Sequence, residues 1–262
     1  MDLFIADKAF LVVGGTSGIG FAAARSLAAD GASVLIVGRD VEKAQAAAAG
    51  LAEGGSRVVP ASVDVAKPDG ADEADASALA AFGRIDGVAV TTGLIGHEPI
   101  DISDERWMEV VSDVLLGTTR TIQAALPHLI DARGTIVTTA AYSIRAPEIA
   151  RLPYAAMKSA VATFTKGIAN AYGKHGVRAN CIAPGAIETA ALTSIRANIA
   201  KERNLPYEEA LEMVMIDDWG LDIALRRPGR PEEVGELIAF LLSPRAGYLT
   251  GALVNIDGGT NF

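Results

Sequence analysis

Cysteine is nearly absent from this 262-residue chain, where Cys181 stands alone. No internal disulfide can form, and the apolar run around Cys181 reads as the setting of a buried structural thiol rather than a nucleophile. Histidine is scarce as well: His97, His128 and His175 are scattered and give no metal-ligand spacing, so no metal is expected. Basic residues are outnumbered, 23 Lys and Arg against 32 Asp and Glu, for a net charge of -9. Phosphate backbones and anionic membranes attract basic surfaces, so neither nucleic acid nor membrane is expected as a partner. No apolar stretch approaches the about 18 residues of a membrane span. Asp2 and Asp7 interrupt what would be a signal peptide, and a soluble, cytoplasmic protein is expected.

What is present is a long apolar complement, half of the residues, enough for one substantial core. A single domain over 1–262 is the expectation, with no internal repeat or disordered linker. Its organising stretch is Val12-Val-Gly-Gly-Thr-Ser-Gly-Ile-Gly20, which closes a short apolar strand at 9–13 and opens an alanine-rich helix from about Gly18. Glycine lets the backbone turn sharply and approach a ligand closely. Free N–H groups at the helix start, with the positive end of its dipole, favour an anion such as a dinucleotide pyrophosphate. A glycine-rich turn with no ligand is the other reading.

Strand and helix patterns then alternate. Strands are expected at 33–37, 57–60, 85–90, 134–140 and 177–183, with a seventh ending at Ile256. Helices are expected at 41–53 and 70–82, from Asp104 towards Leu126 with Pro127 kinking or ending it, at 154–172, and from Pro231. Short connections between such units imply a parallel sheet, which takes its ligands at the carboxyl ends of the strands. Arg39 lies 25 residues after Gly14, where a dinucleotide fold meets the adenosine ribose. An acid there suits a 2'-hydroxyl and an arginine a 2'-phosphate, although an exposed loop charge is the plainer reading. Tyr154 and Lys158 are four apart in a helical pattern and share a face. An adjacent ammonium favours the phenolate, which would make Tyr154 an acid or base nearer neutral pH. The segment 190–227 breaks the rhythm; it reads as a helical lid over a substrate site, or as a surface helical pair.

Gly14-x3-Gly18-Ile19-Gly20, Tyr154-x3-Lys158, Pro184-Gly185, Thr250-Gly251 and Asp257-Gly258-Gly259, in that order over nearly the whole chain, resemble the classical short-chain dehydrogenase/reductase family. The resemblance implies an α/β fold: a Rossmann-type, doubly wound seven-stranded parallel sheet with helices on both faces. It implies hydride transfer between NAD(P) and a carbonyl or alcohol carbon, and commonly a homotetramer. By matching position, Gly14, Thr16, Ser17, Gly18 and Ile19 would line the cofactor phosphates, Asp64 and Val65 the adenine, and Gly93 the ribose side. Ile187 and Thr189 would meet the nicotinamide amide, while Lys158 would hold the nicotinamide ribose and lower the Tyr154 pKa. With Arg39, the resemblance points to NADP(H) ahead of NAD(H).

Six positions depart from the family pattern. Val13 precedes the first glycine in place of Thr, and Val90-Thr91-Thr92-Gly93 stands for Asn-Asn-Ala-Gly. The helix Asn aligns with Val114, and the catalytic Ser, thirteen residues before Tyr154, with Ala141. Ser143 can stand in for the missing hydroxyl only if the chain bends there; left extended, two residues displace it by about 6.7 Å. Thr139 and Tyr142 are weaker substitutes. Two functions follow: an NADP-dependent oxidoreductase of a small to medium apolar alcohol or ketone with Tyr154 as acid/base, or a cofactor-binding protein with little turnover.

Overall fold

Five consecutive buried residues, Ala9–Val13, make β1, an interior strand of the sheet. It pairs in parallel with β2 (Ser33–Gly38) on one side and β4 (Gly87–Val90) on the other. The computed structural model describes residues 2–52, 56–93, 100–147, 151–213 and 223–260. Adding β3 (Val58–Ser62), β5 (Thr135–Thr139), β6 (Arg178–Pro184) and β7 (Leu253–Ile256) gives a seven-stranded parallel sheet in the order β3-β2-β1-β4-β5-β6-β7. Central strands so rich in Val, Ile and Leu are what burial on both faces requires.

Alternate residues of each strand serve opposite faces. Phe10, Val12, Val34, Ile36, Val137 and Ile182 pack under α1 (Gly18–Ala29), α2 (Val41–Ala52) and α9 (Pro231–Leu242). Leu11, Val13, Leu35, Val37, Val88 and Ile136 pack under α3 (Gly70–Phe82), α5 (Gly117–Ala132) and α6 (Leu152–Tyr172). Helices therefore cover both faces, and the strand order reverses between β1 and β4. The crevice at that switch point, outside the carboxyl ends, is where such sheets bind ligands.

The long helix expected from Asp104 departs from expectation twice. α4 (Asp104–Val110) runs through a π-helical turn, Val111–Leu116, into α5. Pro127 lies inside α5 without ending it, because Ile122, Ala125 and Leu129 bury the same face on either side and hold both halves to the sheet. The end comes at Arg133, in the left-handed region at φ 50°. Within 190–227, α7 (Ala190–Glu202) and α8 (Tyr207–Glu212) are tied by Arg196, whose Nε donates to the Tyr207 carbonyl at 2.7 Å. Residues 214–222 of the expected lid, with Met215, Ile216, Trp219 and Leu221, lie outside the described residues, as does Glu53 of the second expected helix.

Candidate active site

Two adjoining cavities open along the carboxyl ends of the strands. The first, of about 380 Å³, follows the glycine turn. Gly14 turns at φ +82°, and a Cβ on Gly20 would sit 2.5 Å from the Thr91 hydroxyl, so the turn closes against the end of β4. Thr91 completes the closure: its hydroxyl and its amide both donate to the Val13 carbonyl at 2.9 Å. A threonine thus links these two strand ends where the family places Asn. The first amides of α1 lack intrahelical acceptors, as at any helix start, and Ser17 at the N-cap makes no side-chain cap. Gly14, Thr16, Ser17, Gly18, Ile19, Arg39, Asp64, Val65, Gly93 and Thr189 all line this cavity.

The second cavity, of about 350 Å³, holds Tyr154, Lys158, Ser143 and Ile187, and shares Ile19, Thr92, Gly93 and Thr189 with the first. Lys158 is buried, and its Nζ donates to the carbonyls of Thr92 at 2.9 Å and Thr139 at 2.7 Å. The ends of β4 and β5 therefore aim the ammonium. After β5 the chain bends into a 3-10 turn, Tyr142–Ile144, that brings Ser143 into the cavity wall while Ala141 stays extended. The hydroxyls of Ser143, Thr139 and Thr92 are buried with no partner among the described residues. Since most buried polar groups are paired, three such hydroxyls in one cavity wall mark a place made for a polar molecule. The rest of the wall is largely aliphatic, with Ala186, Leu192 and Ile195.

A family model described as enoyl-(acyl carrier protein) reductase matches residues 13–261. The chain belongs to the short-chain dehydrogenase/reductase family. It is accordingly an NAD(P)-dependent enzyme acting on CH–OH or keto groups. It is 29% identical over 264 residues to the 3-oxoacyl-(acyl-carrier-protein) reductase FabG of Chlamydia pneumoniae, covering 100% of both chains. Identity to the short-chain reductase protein NovJ of Streptomyces niveus is 32% over 256 residues, 97% of this chain and 94% of that protein. The crystal structure of L-sorbose reductase from Gluconobacter frateurii, complexed with NADPH and L-sorbose, matches with a TM-score of 0.93 at 30% identity, over 99% of this chain and 98% of that one.

Within this short-chain dehydrogenase/reductase, burial pushes the Tyr154 phenol up to about 12, against a smaller pull from the Arg151 guanidinium. The Lys158 Nζ lies 5.5 Å from the centroid of the Tyr154 ring, engaged with the two carbonyls. Burial pulls Lys158 itself down to about 8. Val114 is fully buried among Val110, Val161, Leu115, Tyr154 and Met157, so the side chain at the usual Asn position offers no polar group to a relay water. Two charged residues of the site were not foreseen in the sequence: Asp113 in the first cavity and Arg151 in the second. Asp113 stands beside Val114, so placing the helix over the cleft was enough to find it. Arg151 sits at the N-cap of α6, three residues before Tyr154.

Proposed function

We propose that this protein is an NADP(H)-dependent reductase of small to medium, largely apolar ketones or aldehydes, reversible towards the alcohol, with Tyr154 as the acid. The observation that carries this reading is the shared cavity in which the Tyr154 phenol and the Ser143 hydroxyl, without a partner among the described residues, adjoin a glycine-turned cleft. A dinucleotide fits what is there: the Gly14 turn and the α1 amides suit a pyrophosphate, and Arg39 lines the other end of the cleft. Gly14, Thr16, Ser17, Gly18 and Ile19 would hold the phosphates, Asp64 and Val65 the adenine, Arg39 a 2'-phosphate, and Gly93 and Lys158 the ribose next to the nicotinamide, with Ile187 and Thr189 at its amide. When bound, the nicotinamide supplies the hydride in reduction and accepts it in oxidation.

The chain's own residues then manage the proton. A phenol near pKa 12 is fully protonated at neutral pH, which suits Tyr154 to donating to a carbonyl oxygen as charge develops there. Ser143 supplies the second hydrogen bond to that oxygen, in the role Ala141 cannot fill. Lys158 below pH 8 keeps its charge beside the ribose, oriented by the Thr92 and Thr139 carbonyls. The aliphatic wall excludes water from the reacting carbon, with 190–227 acting as the lid of a single-domain enzyme.

The second reading, a cofactor-binding protein with little turnover, is favoured by Val114 and Ala141, which remove two polar groups from the family's set. NADPH oxidation measured against a panel of apolar ketones and aldehydes, with NADH in parallel, separates the two. Turnover faster with NADPH supports the enzyme reading; tight NADPH binding without turnover on any member supports the other. We infer also that the protein acts in the cytosol as a homotetramer. Exposed Met108, Leu249 and Leu253 are the apolar side chains such an assembly would cover.

A further inference from the structure

Asp113 has no part in the proton chemistry above, yet it lines the cleft at the end occupied by Arg39 and Asp64. Its position is fixed from both sides. The π-helical turn that carries it is tied to the cleft wall by Ser112 Oγ and Arg120 Nη1, which both donate to the Ala66 carbonyl, at 3.0 and 2.8 Å. A Cβ on Gly117, at the end of that turn, would lie 3.3 Å from the Val65 side chain, so the turn packs closely on the 64–66 loop. Across the cleft, Arg39 Nη1 reaches Asp113 Oδ2 at 3.9 Å, with the arginine 66% exposed and the aspartate 23%.

We propose that Asp113 sets the cofactor selectivity of this cleft by competing with a 2'-phosphate for Arg39. This rests on the reading above that the cleft takes a dinucleotide with its adenosine end at Arg39. The guanidinium prefers a phosphate, which offers a bidentate partner with more charge, and a loose, largely solvated ion pair is easily exchanged. The exchange leaves a cost behind. Once Arg39 turns to the phosphate, the part-buried Asp113 carboxylate is left without that cation, whereas a 2'-hydroxyl leaves the pair in place. Asp113 therefore holds the preference for NADP(H) below what Arg39 alone would give. Burial already pushes the Asp113 carboxyl up, Arg39 and Arg106 pull it down, and Asp64 and Glu109 push it up, so these four charges are the ones it faces.

Binding of two adenosine fragments, 2',5'-ADP and 5'-AMP, measured by calorimetry on the whole protein, tests this without any turnover. Asp113→Asn should tighten 2',5'-ADP by about fivefold, because the phosphate no longer has to draw Arg39 away from a carboxylate, and leave 5'-AMP unchanged. In an Arg39→Met background the same substitution should change 2',5'-ADP by less than about twofold, since there is no longer a guanidinium to compete for. Glu109→Gln, which removes an acid one turn away and outside the cleft lining, should leave both fragments as in wild type. An Asp113→Asn protein that binds both fragments as before, or tightens both alike, overturns the proposal, and so does a gain that persists in full without Arg39. Asp113→Ser gives the same readout should the amide prevent folding, with 5'-AMP binding reporting the fold of each variant. A wild type that binds neither fragment overturns instead the dinucleotide reading on which this rests.

Discussion

Lys158 donates to the main chain of two strands at once, and that placement ties its charge to the stability of the fold. An unfolded lysine keeps its proton to about 10.5, whereas burial makes folded Lys158 release it near 8. Between those values the unfolded chain binds the extra proton, so the folded state gains stability as pH rises through the window. The stability of wild type relative to Lys158→Met should accordingly rise by about 3 kcal/mol from pH 8 to 10.5. Urea unfolding across that range checks it, and a difference that stays flat contradicts the burial argument. Ser143 carries a second prediction at this scale. If its hydroxyl is the second donor to the carbonyl oxygen, Ser143→Ala should lower kcat/KM by about a hundredfold or more while NADPH binding stays within twofold. Unchanged turnover removes it from the mechanism. The glycine turn and the Tyr154–Lys158 pair were legible in sequence because backbone conformation and helical spacing restrict which residues can stand there. Ser143 was legible only as a candidate that needed a bend, since its place depends on a 3-10 turn that the residues Tyr142–Ile144 do not announce.

Elements were legible where a local rule decides them. Ser103 caps α4 through the Arg106 amide at 3.3 Å, Asp40 caps α2 through the Lys43 amide at 3.1 Å, and Pro231 opens α9, as those residue types require. The π-helical turn at Val111–Leu116, which packs on the cleft wall at Ala66 and Val65, had no such signature. Pro127 does not end the helix, because buried side chains on both sides outweigh the one amide a proline removes. At the start of α9, Glu233 accepts from the Arg230 amide at 2.7 Å and from the Arg227 guanidinium at 2.8 and 2.6 Å, which holds its carboxyl at about 2. With an unfolded value of 4.5, its contribution is complete above pH 4.5 and is lost as pH falls towards 2. Glu233→Gln should thus unfold more easily than wild type at pH 6, with the gap closing below pH 3. A gap of constant size in acid would show that the carboxylate is not what holds this helix start.

For the molecule as a whole, the alternation of strand and helix was enough to give a parallel sheet, its doubly wound form with seven strands came from the family resemblance, and the order β3-β2-β1-β4-β5-β6-β7 puts its switch point over the glycine turn. Strand limits were less legible: β3 runs on to Ser62 and β4 starts only at Gly87, because pairing with the neighbouring strand, not local composition, sets those ends. Assembly belongs to this scale as well. Sedimentation at micromolar concentration should give a species of four 27.1 kDa chains, and a monomer would reject the tetramer. The central claim is that one phenol delivers the proton in a cofactor-bound cavity whose usual Asn and Ser positions carry Val114 and Ala141. The most direct measurement is Tyr154→Phe, taken through NADPH binding and ketone reduction side by side. The account predicts a Kd for NADPH within about twofold of wild type and a kcat lower by about a hundredfold or more; reduction at the wild-type rate without the hydroxyl would contradict it.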